Sequence, residues 1–217
     1  MNILVIGSAA NLLECRQKFG EQHSYDFAEQ HTHAAAKLER AEVVFDFLPQ
    51  PDEGSDLYQH TRVPVFLNTT FTSLAACARA VPSGSVIGFC GLPTFLKREV
   101  LEVCVLNNNA RQVLTTTCAN LATRVEVVAD QIGFVTPRII CMIINEAYIT
   151  AAEGTASRED IDRAMKLGTN YPFGPFEWSQ QIGLPNVVAL LQALQRTTTD
   201  GRYQISDLLK AEALNNH

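Results

Sequence analysis

The chain has 217 residues, of which 47% are hydrophobic and 18% are charged, with a formal net charge of −6. This is the composition of a globular protein that can bury one or two cores, and the acidic balance without a basic block predicts no nucleic-acid partner. No apolar run approaches the roughly 18 residues of a membrane span, and no basic segment suggests a secretory signal, so we expect a cytoplasmic protein without a membrane partner.

The first part of the chain alternates strand and helix patterns. A strand is predicted at Asn2–Ile6, followed by a turn at Gly7-Ser8 and a helix to about Phe19. The later strands are predicted at His23–Phe27, Glu42–Leu48, Val63–Asn68, Ser85–Phe89, Glu99–Leu106 and Arg124–Asp130, and the later helices at His31–Ala41, Thr72–Val81 and Asn109–Ala122. Such alternation is typical of βαβ units that form a parallel sheet.

After Gly133 the pattern becomes helical. The segment Phe134–Gly154 has apolar residues at helical spacing, and Pro137 suits its first turn. Ser157–Asp160 has the sequence of a capping box and opens a second helix. We therefore predict an α/β fold class with two domains: an abbreviated, truncated Rossmann-like sheet domain at 1–132, then an all-α helical domain at 133–217.

The six cysteines are scattered and form no C-x-x-C pair. We expect free, buried thiols in a reducing compartment rather than disulfides or a zinc site, and we predict no metal.

The turn after the first strand raises the question of nucleotide binding. A dinucleotide turn has the pattern G-x-G-x-x-G, whose second glycine lets the pyrophosphate approach the backbone. Here only Gly7 is kept, while Ala9 and Leu12 occupy the second and third glycine positions. Asp26 closes the second strand about 20 residues on, where a ribose-binding acid is expected. A βα unit that keeps the topology without the ligand is the alternative interpretation.

Residues 133–184 carry a resemblance through "NEA", "EG.AS.EDID.AMKLG" and "GPFE". They resemble the start of the C-terminal helical domain of the 3-hydroxyacyl-CoA dehydrogenases. Upstream, "AEVVFDFLP", "LNTT" and "IGFCGLPTFLKREVLEV" are similar to further segments of that family. The resemblance covers nearly the whole chain, although the first half is compressed.

This resemblance implies oxidation of the 3-hydroxyl of an acyl-CoA, with NAD as cofactor and a homodimer formed through the helical domain. In the family a histidine takes the hydroxyl proton, a glutamate orients that histidine, and a serine and an asparagine bind the substrate oxygen. Glu102 matches the glutamate and Thr70 matches the serine, while Cys90 stands where the histidine is expected. Pro137 stands where the asparagine is expected, beside Arg138.

The exchanged residues leave several interpretations open. Cys90 can be a neutral small hydrophobe, since a nearby carboxylate raises a thiol pKa. Glu102 can act alone as a base, pair with Lys97 or Arg98, or lie exposed on an edge strand. Among the histidines, His60 is considered as a replacement base.

Two functions follow. The first is a 3-hydroxyacyl-CoA dehydrogenase with lost or altered activity. The alternative is a non-catalytic dimeric scaffold or partner protein that binds an acyl-CoA or a nucleotide. A different chemistry on the same scaffold is a third possibility.

Overall fold

The computed structural model describes residues 1–48, 56–58, 61–77, 85–199 and 201–215. The chain divides into two compact units, Met1–Phe134 and Val135–His217. The first unit is α/β and the second is helical, which confirms the predicted fold class.

Seven strands of the α/β unit, within the described residues, form one sheet in the order β2-β1-β3-β4-β5-β6-β7. They are β1 Asn2–Ile6, β2 Ser24–Ala28, β3 Val43–Asp46, β4 Val65–Asn68, β5 Val86–Phe89, β6 Val100–Cys104 and β7 Arg124–Val127. All neighbours are parallel except β5 and β6, which are antiparallel, so the predicted parallel sheet is confirmed apart from this one pair of described strands. Residues 90–99 join these two strands, and a parallel crossover needs a dozen or more residues.

Helices cover both faces of the sheet. The described helices of this unit are α1 Ala9–Phe19, α2 Ala35–Leu38, α3 Leu74–Cys77 and α4 Asn108–Asn120, with short 3-10 turns at His31–His33 and Asp56–Tyr58. Residues of α1 and α4 join one core cluster with Phe45, Phe47 and Phe89 of the sheet region. Because side chains alternate along a strand, Asp46 points to the opposite face.

The helix predicted between β2 and β3 is longer than the helical segments that the structure has there. His31–Ala41 was expected to be one helix, but it contains a 3-10 turn and the four-residue α2. Residues 29–42, which join β2 to β3, hold these two short helical segments instead. Residues 49–55 of the predicted loop and residues 78–84 fall outside the described residues.

The helical unit contains α5 Thr136–Ala152, α6 Arg158–Thr169, α7 Pro175–Ile182, α8 Leu184–Gln195 and α9 Asp207–Asn215. The predicted cap is confirmed: Ser157 Oγ accepts from the Asp160 backbone N–H at 3.2 Å. The buried Asp162 of α6 accepts hydrogen bonds from the Phe176 and Glu177 backbone N–H groups of α7 at 2.8 and 3.1 Å. In the described part of the chain, no helix combines the length and apolarity needed to cross a bilayer.

Candidate active site

Thr70 and Cys90 meet at the carboxyl ends of β4 and β5. Thr70 Oγ1 donates to Asn68 Oδ1 at 2.6 Å and lies 3.6 Å from Cys90 Sγ. The Gly91 backbone N–H reaches both Asn68 Oδ1 and Thr70 Oγ1 at 3.1 Å. Asn68 Nδ2 also donates to the Phe47 carbonyl at 3.0 Å, which extends this polar row to the end of β3.

Cys90 is a neutral thiol in this position. Only 2% of the residue is exposed, and burial raises the pKa of the thiol to about 12, with smaller contributions in the same direction from the charges of Glu102 and Glu14. A thiol with this pKa is protonated at physiological pH, so it is neither a general base nor an activated nucleophile.

Glu102 lies on β6 beside the end of β5. The antiparallel register pairs Phe89 with Val103, so the next residue along β5, Cys90, comes alongside Glu102. Glu102 is half-buried, and its charge raises the pKa of Cys90. The sheet therefore brings Cys90, Thr70 and Glu102 to one edge, and their catalytic role stays a prediction.

Glu14 is a further acid near this site, and it belongs to no sequence motif. It lies on α1 with 8% of the residue exposed, and its Oε1 has no hydrogen-bond partner among the described residues. Burial raises the pKa of Glu14, while the charge of Lys97 and backbone N–H groups of Thr94, Leu96 and Lys97 lower it. The carboxyl group therefore anchors α1 to the segment that joins Cys90 to Glu102.

The glycine turn is closed by its own side chains. Gly7 has φ 153°, and a Cβ there would lie 2.7 Å from Asn11 Oδ1 and 3.1 Å from Phe47 Cβ. Asn11 Oδ1 accepts from both the Ser8 backbone N–H and the Ser8 hydroxyl at 2.8 Å. Ala9 is the first residue of α1, and its side chain is exposed. Leu12 is partly buried and packs against the core cluster.

These contacts test whether the turn suits a dinucleotide. Pyrophosphate binding at a helix N-terminus uses the free N–H groups of the first turn. Here Ser8 N–H and Asn11 N–H already bond to Asn11 and Ser8 side chains. The residues present do not fit a pyrophosphate as the full glycine motif does.

The position assigned to Asp26 needs correction. Asp26 lies in the middle of β2, opposite Leu4, rather than at the end of the strand. Its carboxylate accepts from Arg40 at 3.0 and 3.1 Å and from Asn2 Nδ2 at 3.0 Å. The strand continues to Ala28, because the Gly7 backbone N–H bonds to the Ala28 carbonyl at 2.9 Å. The acid that follows the end of β2 is the exposed Glu29.

The last predicted features of the site are His60, Pro137 and the question of a metal ion. His60 lies outside the described residues. Pro137 is the buried second residue of α5, where its missing N–H has no helical partner to lose. Among the described residues, no three His, Cys, Asp or Glu side chains form a group that could hold a metal ion.

Comparisons with known proteins agree most strongly for the helical unit. The sequence model of the 3-hydroxyacyl-CoA dehydrogenase C-terminal domain matches residues 133–217. The chain is 44% identical over 87 residues to the 3-hydroxyadipyl-CoA dehydrogenase of Escherichia coli, covering 40% of this chain and 18% of that protein. It is 29% identical over 191 residues to a probable 3-hydroxybutyryl-CoA dehydrogenase of Deinococcus radiodurans, covering 85% of this chain and 66% of that protein.

The fold has solved counterparts. The crystal structure of M. tuberculosis FadB2 superimposes with a TM-score of 0.79 at 15% identity, covering 98% of this chain and 93% of that chain. An identity this low shows the fold alone. The chain spans 18% and 66% of the two curated relatives named above. Residues 133–217 are therefore similar to the C-terminal domain of the 3-hydroxyacyl-CoA dehydrogenases, and the chain shares its fold with the solved structure named above.

Proposed function

We propose that this chain binds a 3-hydroxyacyl-CoA or the corresponding 3-ketoacyl-CoA, and that the NAD-dependent oxidation of the 3-hydroxyl is altered or lost in it. The similarity of residues 133–217 to the C-terminal domain of the 3-hydroxyacyl-CoA dehydrogenases supports the substrate class. The single observation that carries the altered chemistry is Cys90, a buried thiol with a pKa of about 12 in the position of the base.

The chemistry of the site supports a change in proton transfer. Removing hydride from a carbinol carbon requires that the hydroxyl proton be taken up by a base with a pKa near neutrality. Cys90 cannot accept that proton, because its thiol is already protonated. Thr70 can still donate a hydrogen bond to a substrate oxygen only by exchanging its bond to Asn68 Oδ1. Of the three described residues Cys90, Thr70 and Glu102, the carboxylate of Glu102 is the group that we assign to proton transfer.

A non-catalytic binding protein is the second candidate. It is favoured by the hydrogen bonds that close the α1 N-terminus, since they occupy donors that a dinucleotide pyrophosphate would use. This function would keep the acyl-CoA or nucleotide site and omit hydride transfer.

Calorimetry with NADH, followed by turnover of acetoacetyl-CoA with NADH, separates the two functions. Binding with slow turnover that disappears in Glu102→Gln would support the altered enzyme and contradict the non-catalytic protein. Absence of binding at millimolar NADH, together with binding of acetoacetyl-CoA, would support the non-catalytic protein. Failure of both ligands to bind would refute the proposed function.

A gain-of-function variant sharpens this experiment. Cys90→His restores a histidine twelve residues before Glu102 (102 − 90), and we expect turnover to rise at least tenfold over the unmodified chain. Cys90→Ser is the matched control, because it introduces a polar atom without a base of suitable pKa.

We also infer a homodimer formed through the helical unit and a cytoplasmic location. Exposed apolar side chains on this unit support the first, Leu167 at 81% and Leu214 at 73%. Buried free cysteines support a reducing compartment. Light scattering at several protein concentrations tests the dimer, and a monomer at all concentrations would refute it.

A further inference from the structure

A groove lies at the amino edge of the sheet, opposite the edge that carries Thr70 and Cys90. Strands β1, β3 and β4 are parallel, so their amino ends share one edge. A cavity of about 740 Å³ opens there, lined by residues 62–64, which precede β4, and by one face of α4. Small-molecule sites usually have volumes of roughly 300–1,000 Å³. We call this cavity the α4 groove.

One wall of the α4 groove is a continuous face of the helix. The lining residues recur at spacings of three and four, which places them on one side of α4. They are Asn109, Gln112, Val113, Thr116, Thr117 and Asn120. At a rise of about 1.5 Å per residue, this face is about 17 Å long. A linear ligand of several carbon atoms therefore has room to lie along it.

Thr117 gives this face an unused buried hydroxyl. Only 4% of the residue is exposed, and it lines the groove. The hydroxyls of Thr115 and Thr116 bond back to the carbonyls of Arg111 and Gln112 at 2.9 and 3.2 Å. The Thr117 hydroxyl makes no such bond, nor any other to the described residues. Because an unpaired buried hydroxyl costs free energy, a polar ligand atom in the groove would stabilise it.

Arg62 supplies a positive charge on the opposite wall. Its side chain is exposed and forms no ion pair within the described part of the chain. A guanidinium binds a carboxylate through two parallel N–H···O bonds. Glu42 also lines the groove, accepts from the Asn2 backbone N–H at 2.7 Å and adds one negative charge. A ligand with a single negative charge therefore suits the groove better than a dianion.

The groove also has an apolar lining. Val63, Pro64 and Val113 line it, and each is half-buried. Hydrocarbon that packs against these side chains is removed from water, which favours binding. The exposed amides of Gln112 and Asn120 lie on the same face of α4 and offer donors and acceptors. The lining thus combines one unpaired cation, an apolar surface and neutral polar groups.

We propose that the α4 groove binds a small organic acid with a single carboxylate. Arg62 pairs with the carboxylate, the hydrocarbon body lies against the apolar lining, and a hydroxyl or carbonyl of the ligand bonds to Thr117. This site is at the opposite edge of the sheet from Cys90 and Glu102. It therefore stands even if the oxidation proposed above fails.

The decisive measurement is the methyl NMR spectrum of the unmodified full chain, labelled with ¹³C on threonine and valine. The probes are 4-hydroxybutanoate, 6-hydroxyhexanoate and 8-hydroxyoctanoate. Hexanamide is the uncharged control, and inorganic phosphate is an anion without a hydrocarbon body. We expect the Thr117 and Val113 resonances to shift and saturate with at least one hydroxy acid, at roughly tenfold lower concentration than with either control. Saturation with no acid, or at similar concentrations of acid and control, would overturn the proposal.

Two matched pairs of variants test the named contacts by calorimetry. Arg62→Gln removes the cation, and its control is Arg111→Gln, at an exposed arginine of α4 outside the groove lining. Thr117→Val removes the hydroxyl and keeps the shape, and its control is Thr115→Val at an exposed position. For the best hydroxy acid we expect roughly tenfold weaker binding in Arg62→Gln and roughly threefold weaker binding in Thr117→Val. Equal affinities within either pair would overturn the proposal.

Discussion

The two units of this chain differ in what their buried polar groups do. In the helical unit, Asp162 caps α7, and Asn145 bonds to Gln204 and Ser206 at 2.9 Å. In the α/β unit, Asp46 and Glu14 are buried carboxylates that hold connections rather than helix ends. The sequence model of the 3-hydroxyacyl-CoA dehydrogenase C-terminal domain matches the helical unit. The two units therefore use their buried polar groups in different ways.

The physical reason lies in how each group is satisfied. In the helical unit, Asp162 accepts from backbone N–H groups that the start of a helix leaves without partners. In the α/β unit, burial destabilises the charge of Glu14, and backbone N–H groups of Thr94, Leu96 and Lys97 offset this only in part. The following predictions test this contrast, from the largest expected effect to the smallest.

Asp162→Ala should have the largest effect on the helical unit. It leaves the buried Phe176 N–H and the Glu177 N–H without an acceptor, and each unsatisfied donor costs about 1–3 kcal/mol. We expect a loss of about 3 kcal/mol in the free energy of unfolding, measured in urea by the fluorescence of Trp178, the single tryptophan of the chain. Asp162→Asn keeps one acceptor and should lose less; equal losses would contradict the capping role.

Gly88→Ala should destabilise the α/β unit. A Cβ at this position would lie 2.4 Å from Cys104 Sγ and 2.6 Å from Thr69 Oγ1, and overpacking of this kind costs about 1–3 kcal/mol. The readout is the urea dependence of cysteine alkylation, since Cys104 and the other described cysteines are buried. If the cysteines of the variant become alkylated at the same urea concentration as those of the unmodified chain, the sheet accepts the methyl group.

Glu14→Gln should stabilise the α/β unit in a pH-dependent way. Burial raises the pKa of Glu14 in the folded chain, so stability is highest below the ordinary carboxyl pKa and falls as the pH rises through the folded value. Glutamine removes the charge and keeps an oxygen that accepts from the backbone. We expect a gain of about 1 kcal/mol at pH 7 and a smaller one at pH 4.

The same alkylation assay measures this difference, with the exposed Glu126→Gln as the control. A stability difference that does not change between pH 4 and pH 7 would contradict a burial-raised pKa for Glu14.

Gly168→Ala should have the smallest effect, and in the stabilising direction. Gly168 lies in α6, and a Cβ there meets nothing within 4 Å among its neighbours. Alanine is favoured over glycine in a helix by about 1 kcal/mol at most, and less near the end of the helix. Trp178 fluorescence in urea measures the gain. A loss of stability would show instead that the backbone of Gly168 makes a contact that an alanine side chain disturbs.

Local features of the fold could be predicted from the sequence. The Ser157–Asp160 cap and β1 appear where the patterns place them, because capping and side-chain alternation depend on residues a few positions apart. The antiparallel β6 and the short α2 could not be predicted in this way. Strand direction depends on the length of a connection relative to its neighbours in the sheet, and periodicity carries no such information.

The candidate site was only partly predictable. The positions of Thr70, Cys90 and Glu102 came from a family resemblance, and the sheet brings them to one edge. The sequence predicts that Asp26 closes the second strand. In the structure, Ala28 pairs with Ile6 of β1, so β2 extends two residues beyond Asp26. Glu14 and His31 carried no motif, since their partners lie far away in the chain.

The sequence by itself determined the two-part organisation, the helical motifs and the spacing between Cys90 and Glu102. Only the tertiary structure decided that Cys90 is buried and protonated, that Glu14 lies under the segment leading to Glu102, and that His31 reaches Asp46 across β1. The reason is that propensity and capping act over one or two helical turns, whereas the environment of a titratable group depends on sheet order and on the face to which each strand residue points.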